Sequence, residues 1–273
     1  MDLILLFKAA IMGLVEGITE FLPISSTGHL ILTGQLLDFW TPEKRDMFSV
    51  AVQIGAIAAV IYQYWGKLWG ALIGALTGDV QGRRLSINLI VATIPIMLIG
   101  LTFGETVKAY LFNAVTVACA LIVGGFIILW AERRQHQIKS QEVENLTFKQ
   151  AVIIGLIQCF ALVPGTSRSG STIIGSLFLG VSRKAAAEFS FFLGIPVLMG
   201  AGLLDMYKMR HDLHVADMEI LGVGIIVAFV SALIVIRALI RYVSKHDFSI
   251  FAYYRIVFGI LILLTWYTGW VQW

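Results

Sequence analysis

Pro23-Ile24-Ser25-Ser26-Thr27-Gly28-His29 and Pro164-Gly165-Thr166-Ser167-Arg168-Ser169-Gly170-Ser171-Thr172 interrupt two apolar regions, about 9–35 and 151–181. Proline, glycine and hydroxyl side chains in such runs end a helix. What surrounds them is the composition of a bilayer protein: 58% hydrophobic and 14% charged residues, with a mean hydropathy of +0.86. A soluble domain carries about 25% charge, and a soluble chain this apolar would expose large adhesive patches. Non-helical backbone at membrane depth persists only where protein or water satisfies its N–H and C=O groups. Each knot is therefore expected at the tip of a helix–loop–helix hairpin that enters and returns on the same side.

Outward from the knots lie six uninterrupted apolar stretches long enough to cross: roughly 47–65, 85–103, 112–130, 185–204, 218–240 and 250–270. The expected fold is an all-α polytopic membrane protein of six spanning helices plus two re-entrant helix hairpins, with no separate soluble domain. The first residues show neither a basic cluster nor a small-residue cleavage site, so no removable signal peptide is expected. Cys119 and Cys159 sit in apolar runs and read as small packing residues.

The two knot regions also resemble each other. Ala9-Ala10-Ile11-Met12-Gly13-Leu14-Val15-Glu16 aligns with Ala151-Val152-Ile153-Ile154-Gly155-Leu156-Ile157-Gln158, and at the same offset Ser25-Ser26-Thr27-Gly28 meets Ser167-Arg168-Ser169-Gly170. Further on, Phe48-Ser49 meets Phe189-Ser190, one residue out of step. The shared Ser-x-[Ser/Thr]-Gly at fixed spacing points to an internal repeat, about 1–135 and 148–273. One hairpin plus three spans makes each repeat odd, so the second must run upside down, with both polar tips converging near the midplane. Loops 66–84, 131–149, 181–184 and 241–249 fall on one side and hold eleven Lys or Arg, against six on the other side. The richer side is expected to be cytoplasmic, so the first hairpin opens outward.

Glu16 and Glu20 share a helix face, flanked by Leu14, Val15, Ile18, Phe21 and Leu22. Paired intramembrane carboxylates are costly and usually functional. They suit a divalent cation whose shell phosphate oxygens complete, Mg²⁺ before Ca²⁺. The first knot adds hydroxyls and an imidazole; Ser26 near His29 would make a nucleophile–base pair, with Glu20 as the other base, while Ser25 or Thr27 would cap a helix. The second knot supplies the opposite charge. Arg168, among Ser167, Ser169, Ser171 and Thr172 with Gly165 and Gly170 beside them, forms an anion site at the start of a helix. In an empty site Arg168 would also pair with Glu16 or Glu20. Glu188 and Arg255 read as helix-end or interhelical pairs, Arg237 and Arg241 as residues reaching toward headgroups, and Tyr64, Trp65, Trp69, Trp266, Tyr267 and Trp270 as interfacial anchors.

At Glu16-Gly17-Ile18-Thr19-Glu20-Phe21-Leu22-Pro23-Ile24-Ser25-Ser26-Thr27-Gly28-His29 and at Pro164 to Thr172, the chain resembles the bacterial undecaprenyl-diphosphatase, or bacitracin-resistance, family. The resemblance implies hydrolysis of undecaprenyl diphosphate to the monophosphate carrier and inorganic phosphate. It also implies a divalent cation, a place in the plasma membrane in peptidoglycan precursor recycling, and an active site open to the outer face. It maps the family's acidic motif onto Glu16 and Glu20, its Ser-Ser-Thr-Gly-His onto Ser25 to His29, and its Pro-Gly-x-Ser-Arg-Ser onto Pro164 to Ser169. The expected assignment is Ser26, His29, Glu20 and Arg168 for catalysis, Ser25, Thr27, Ser167, Arg168, Ser169 and Thr172 for phosphate, and Glu16 and Glu20 for metal.

The other class of membrane lipid phosphatase, similar to acid phosphatases, has Ser-Arg followed five residues later by His; after Ser167-Arg168 comes Ile173-Ile174 instead. A competing expectation from another class is a lipid-phosphate flippase or transporter, which the same inverted repeats would suit. The expected partners are a polyprenyl diphosphate and membrane lipids, not nucleic acid. The sequence leaves open the oligomeric state, a homodimer included.

Overall fold

A computed structural model describes residues 3–134, 137–208 and 217–271. The outermost residues of both expected repeats, and Arg210, lie outside the described residues. The described chain is helical: α1 Leu3–Thr19, α2 Ser26–Leu36, α3 Pro42–Gln63, α4 Trp65–Thr77, α5 Val80–Leu111, α6 Ala114–Arg133, α7 Phe148–Gln158, α8 Arg168–Phe178, α9 Arg183–Lys208, α10 Met218–Val243 and α11 Ser249–Tyr267. Six of these, α3, α5, α6, α9, α10 and α11, are long and apolar enough to cross a membrane, as the six apolar stretches anticipate.

The ends of these helices are marked by their caps. Thr41 accepts from Lys44 N ahead of Pro42 at the start of α3, Asn113 caps α6, and Thr147 with Gln150 forms a capping box on α7. Ion pairs then sort the helix ends into two groups. Lys67 bridges Glu144 and Glu188, Arg183 pairs with Glu132, and Lys184 with Glu142 at one end of the bundle. Lys44–Asp217, Lys108–Asp46 and Lys208–Glu105 tie the other. Glu188 thus makes an interhelical pair.

The knots join α1 to α2 and α7 to α8, and the two helices of each unit pack together. The packing is exchanged between the halves: α1 lies along α10 and α7 along α5, α10 also packs on α3 and α5 on α9, while α3 meets α9 and α6 meets α11. Glycine sets the closest of these approaches. A Cβ on Gly13 would lie 2.4 Å from the Gly224 carbonyl oxygen of α10, and one on Gly155 would lie 2.6 Å from the Ala92 oxygen of α5.

Three expectations change. The segment 66–84, read as a loop, holds all but the first residue of α4, a helix of 13 residues. It is too short to cross about 30 Å of hydrocarbon at 1.5 Å per residue, so span length does not detect it. Cys119 is exposed rather than packed inside, although Cys159 is half-buried against the core. Arg255 pairs with no carboxylate among the described residues; it binds backbone carbonyls instead.

Candidate active site

Both knots place a serine in the left-handed region at the first residue before a helix: Ser25 at φ 69° ahead of α2 and Ser167 at φ 73° ahead of α8. A non-glycine residue there is uncommon and signals a locally strained turn. The Ser167 hydroxyl accepts from Gly170 N at 3.0 Å and so caps α8. Ser25 makes no such side-chain cap; its carbonyl is engaged by His29.

Arg255 holds the two strained turns together. From α11, and buried, it donates to Pro23 O at 2.9 Å in the first knot, and to Thr166 O at 2.9 Å and Gly165 O at 3.1 Å in the second. Its other donors reach Leu121 O and Ala120 O of α6. A guanidinium offers five N–H donors in a plane, and here three of the five carbonyls it reaches belong to the knots, where no helix satisfies them internally. A further link is the Ser169 hydroxyl, which donates to Leu22 O at 2.8 Å across the two knots.

Between the braced turns lies the charged cluster. Ser26 Oγ donates to Glu20 Oε2 at 2.6 Å. Arg168 Nη2 donates to Glu20 Oε1 at 2.8 Å, and Arg168 Nη1 donates to Ser190 O at 2.6 Å. The Arg168–Glu20 pair is buried, with side-chain exposures of 8% and 6%. Thr172 Oγ1 donates to Ser190 Oγ at 2.7 Å, which seats α8 on α9 at the level of the arginine. Glu16, one turn before Glu20 on α1, is 0% exposed. Neither of its carboxylate oxygens has a hydrogen-bond partner, and Arg168 Nε is likewise buried and unpartnered. Buried groups of this kind cost free energy until a ligand, ion, proton or water meets them.

His29 lies beside this cluster rather than in it. Its Nδ1 is 2.7 Å from Ser25 O and its Nε2 is 2.7 Å from the Tyr254 hydroxyl. A carbonyl oxygen only accepts, so Nδ1 carries a proton, and the lone pair of the neutral ring at Nε2 takes the Tyr254 O–H. The ring also stacks on Phe258 at 4.0 Å. No hydrogen bond joins His29 to Ser26.

The expected site residues therefore divide. Glu20, Ser26 and Arg168 are brought into direct contact from the two halves of the sequence. Ser167, Ser169 and Thr172 line the same turn, but their hydroxyls serve Gly170 N, Leu22 O and Ser190. Ser25 is buried, and Thr27 is exposed at the mouth of α2. Both oxygens of Glu16 are without a hydrogen bond, whereas both oxygens of Glu20 are already engaged. Sequence reasoning missed Ser190 and Tyr254 as parts of the site. Ser190 carried one signal, its place in the repeated Phe-Ser pair; Tyr254 carried none beyond its neighbour Arg255.

A family model described as "Bacitracin resistance protein BacA" matches residues 9–261. The chain is 65% identical over 274 residues to undecaprenyl-diphosphatase 1 of Acinetobacter baylyi, covering all of both chains. It is 56% identical over 273 residues to undecaprenyl-diphosphatase 2 of Rhodospirillum rubrum, covering 100% of this chain and 99% of that one. It is 58% identical over 272 residues to the undecaprenyl-diphosphatase of a Psychrobacter species, covering 97% and 96%.

Proposed function

Because the chain belongs to the bacitracin-resistance (BacA) family, we propose that it hydrolyses undecaprenyl diphosphate to undecaprenyl phosphate and inorganic phosphate. It would do so as a multi-pass protein of the bacterial inner membrane, returning the lipid carrier to peptidoglycan and other wall-polymer synthesis and conferring bacitracin resistance when abundant. The observation that carries the chemistry is the 2.6 Å hydrogen bond from Ser26 to a glutamate that Arg168 holds in place.

Ser26 Oγ attacks the terminal phosphorus. The O–P bond forms as the bond to the bridging oxygen breaks and the lipid monophosphate leaves. Glu20 Oε2, already the acceptor of the hydroxyl proton, takes it. Arg168 keeps Glu20 oriented through Nη2 and has Nε left to donate to a phosphate oxygen. Water then cleaves the phosphoserine to inorganic phosphate and restores Ser26. His29 has its ring nitrogens occupied by Ser25 and Tyr254, which favours Ser26 as nucleophile and gives His29 the role of fixing the strained turn.

Glu16, with Glu20 beside it, would hold a divalent cation, Mg²⁺ before Ca²⁺. The fit rests on its two buried, unpartnered oxygens. Among the described residues no group of three His, Cys, Asp or Glu side chains gathers, so substrate and water oxygens would complete the shell. Such an ion supplies charge neutralisation at the diphosphate.

The exchanged packing supports two inverted repeats, about 1–135 and 148–273, with α1–α2 and α7–α8 as hairpins entering from opposite faces. The site then opens to the outer face, since the end of the bundle with more Lys and Arg faces the cytoplasm.

The test is phosphate release by pure protein in detergent. Wild type is expected to release phosphate from undecaprenyl diphosphate, excess chelator to stop it, and Ser26→Ala and Glu20→Gln each to lower kcat by about 10² or more. A lipid-phosphate flippase would release none. Full activity of Ser26→Ala would remove the serine from the chemistry, and full activity in excess chelator would remove the cation.

A further inference from the structure

A groove lies away from the catalytic cluster, at the end of the bundle marked by Lys67 and Arg183. Its volume is about 410 Å³, and it is lined by Gly78, Val80, Arg83, Arg84, Ile87 and Asn88 of the α5 end and by Thr147 and Phe148 where α7 begins. Arg83 and Arg84 are exposed, and neither pairs with a carboxylate among the described residues. The nearest acid in sequence, Asp79, is engaged with Gly82 N at 2.7 Å as the cap of α5. Two adjacent unpaired guanidiniums are thus presented in one concavity.

Apart from Asn88 and Thr147 the rest of the groove is apolar, and its apolar side continues along the helix. Val80, Ile87 and Phe148 are exposed within it. Above it on α5, Ile90, Ile94, Leu98 and Leu101 are exposed too. With Arg83 and Ile87, these residues follow the three- and four-residue spacing of one helical stripe. From Ile87 to Leu98 the stripe rises about 16 Å at 1.5 Å per residue, close to half of a hydrocarbon core of about 30 Å. α7 runs beside α5, with Phe148 and Leu156 exposed on it. The seam therefore matches one kind of molecule, with an anionic head at the arginines and hydrocarbon extending one leaflet deep.

We propose that the α5–α7 seam is a binding site for an anionic glycerophospholipid, with its phosphate on Arg83 and Arg84 and an acyl chain along Ile87, Ile90, Ile94 and Leu98. Arginine suits a phosphodiester because its planar fork donates to two oxygens at once. The lipid would also brace the start of α7, the helix that leads to the Arg168 turn.

The test is native mass spectrometry of the detergent-purified chain titrated with phosphatidylglycerol and with phosphatidylcholine of the same acyl chains. The wild type is expected to retain phosphatidylglycerol about thirtyfold more tightly, given the attraction of about 1 kcal/mol for each of two basic residues near anionic lipid. R83Q/R84Q is expected to lose that preference, and R83Q and R84Q singly to show intermediate ones. R241Q/K245Q removes two charges from the same end of the bundle outside the groove and is expected to keep it. Phosphate release by all these variants should stay within about twofold of wild type, because surface changes away from the site leave folding and chemistry intact. Three results would each overturn the proposal: equal retention of the two lipids, a preference that survives R83Q/R84Q, or one that R241Q/K245Q removes equally. Displacement of the lipid by inorganic phosphate would show a free-phosphate site instead and would also overturn it.

Discussion

Arg168 divides its guanidinium three ways: Nη1 donates to the Ser190 carbonyl and Nη2 to Glu20, while Nε is buried with no hydrogen-bond partner. A lysine cannot reproduce this, because one ammonium on a flexible stem does not bridge two fixed acceptors and still present a donor to phosphate. Arg168→Lys is therefore expected to lower kcat/KM by about 10² or more, the scale of losing one preorganised donor, while the protein still inserts. Wild-type kcat/KM in steady-state assays of that variant would make the residue structural. The nucleophile can be read at the same scale from stereochemistry. Hydrolysis of a chiral terminal phosphorothioate should retain configuration at phosphorus if Ser26 forms a phosphoenzyme, since two in-line displacements restore it. Inversion would mean a single attack by water. The acidic pair, the hydroxyl knot and the lone arginine were all legible in the sequence, because charged residues inside apolar runs stand out. The division of labour was not. Only the fold shows that Ser26 meets Glu20 rather than His29, since the direction of α2 turns the imidazole toward Tyr254 and Phe258.

Among the elements, α11 and α6 hold the site more than their plain apolar sequences suggest. Arg255 reaches the knots through a gap left by Gly124 of α6; a Cβ there would lie 2.1 Å from its guanidinium. Gly124→Ala would push the arginine off the Pro23, Gly165 and Thr166 carbonyls of the knots. It is expected to destabilise by about 1–3 kcal/mol, seen as a lower Tm in detergent, and to reduce phosphate release. Gly104→Ala is the matched comparison, a helical glycine on α5 with nothing within 4 Å of its added Cβ. It is expected to be neutral or mildly stabilising, because alanine is the better helix former. Equal effects at the two positions would mean that the space around Arg255 does not matter. The arginine itself was visible as a buried charge, but its partners were not: backbone carbonyls in a broken helix carry no sequence signature.

At the scale of the whole molecule, the ion pairs put the starts of α3 and α10 together with the ends of α5 and α9, and the end of α6 with the start of α9. Single cysteines near Arg45 and Lys208, in a background lacking Cys119 and Cys159, should react with an impermeant thiol reagent added outside the cell. Cysteines near Arg83 and Arg133 should not. The reverse pattern would invert the orientation, and labelling of the Arg45 and Arg83 positions on one side would break the inverted repeat.

The apolar solvent, the six stretches long enough to cross, the two interruptions and the chemical inventory of the candidate site could all be read from the sequence. Those follow from composition and run length, which depend on each residue's own transfer from water and on how far a helix reaches. Tertiary structure decided which members of that inventory touch. Glu20 and Arg168 are 148 residues apart, and they meet because glycines at Gly13 and Gly155 let α1 and α7 lie close against α10 and α5. It also decided that Arg255 donates to the carbonyls of the turns in between rather than to a carboxylate. A carbonyl freed by a broken helix takes whichever donor the packing brings, and that donor comes from the far end of the chain.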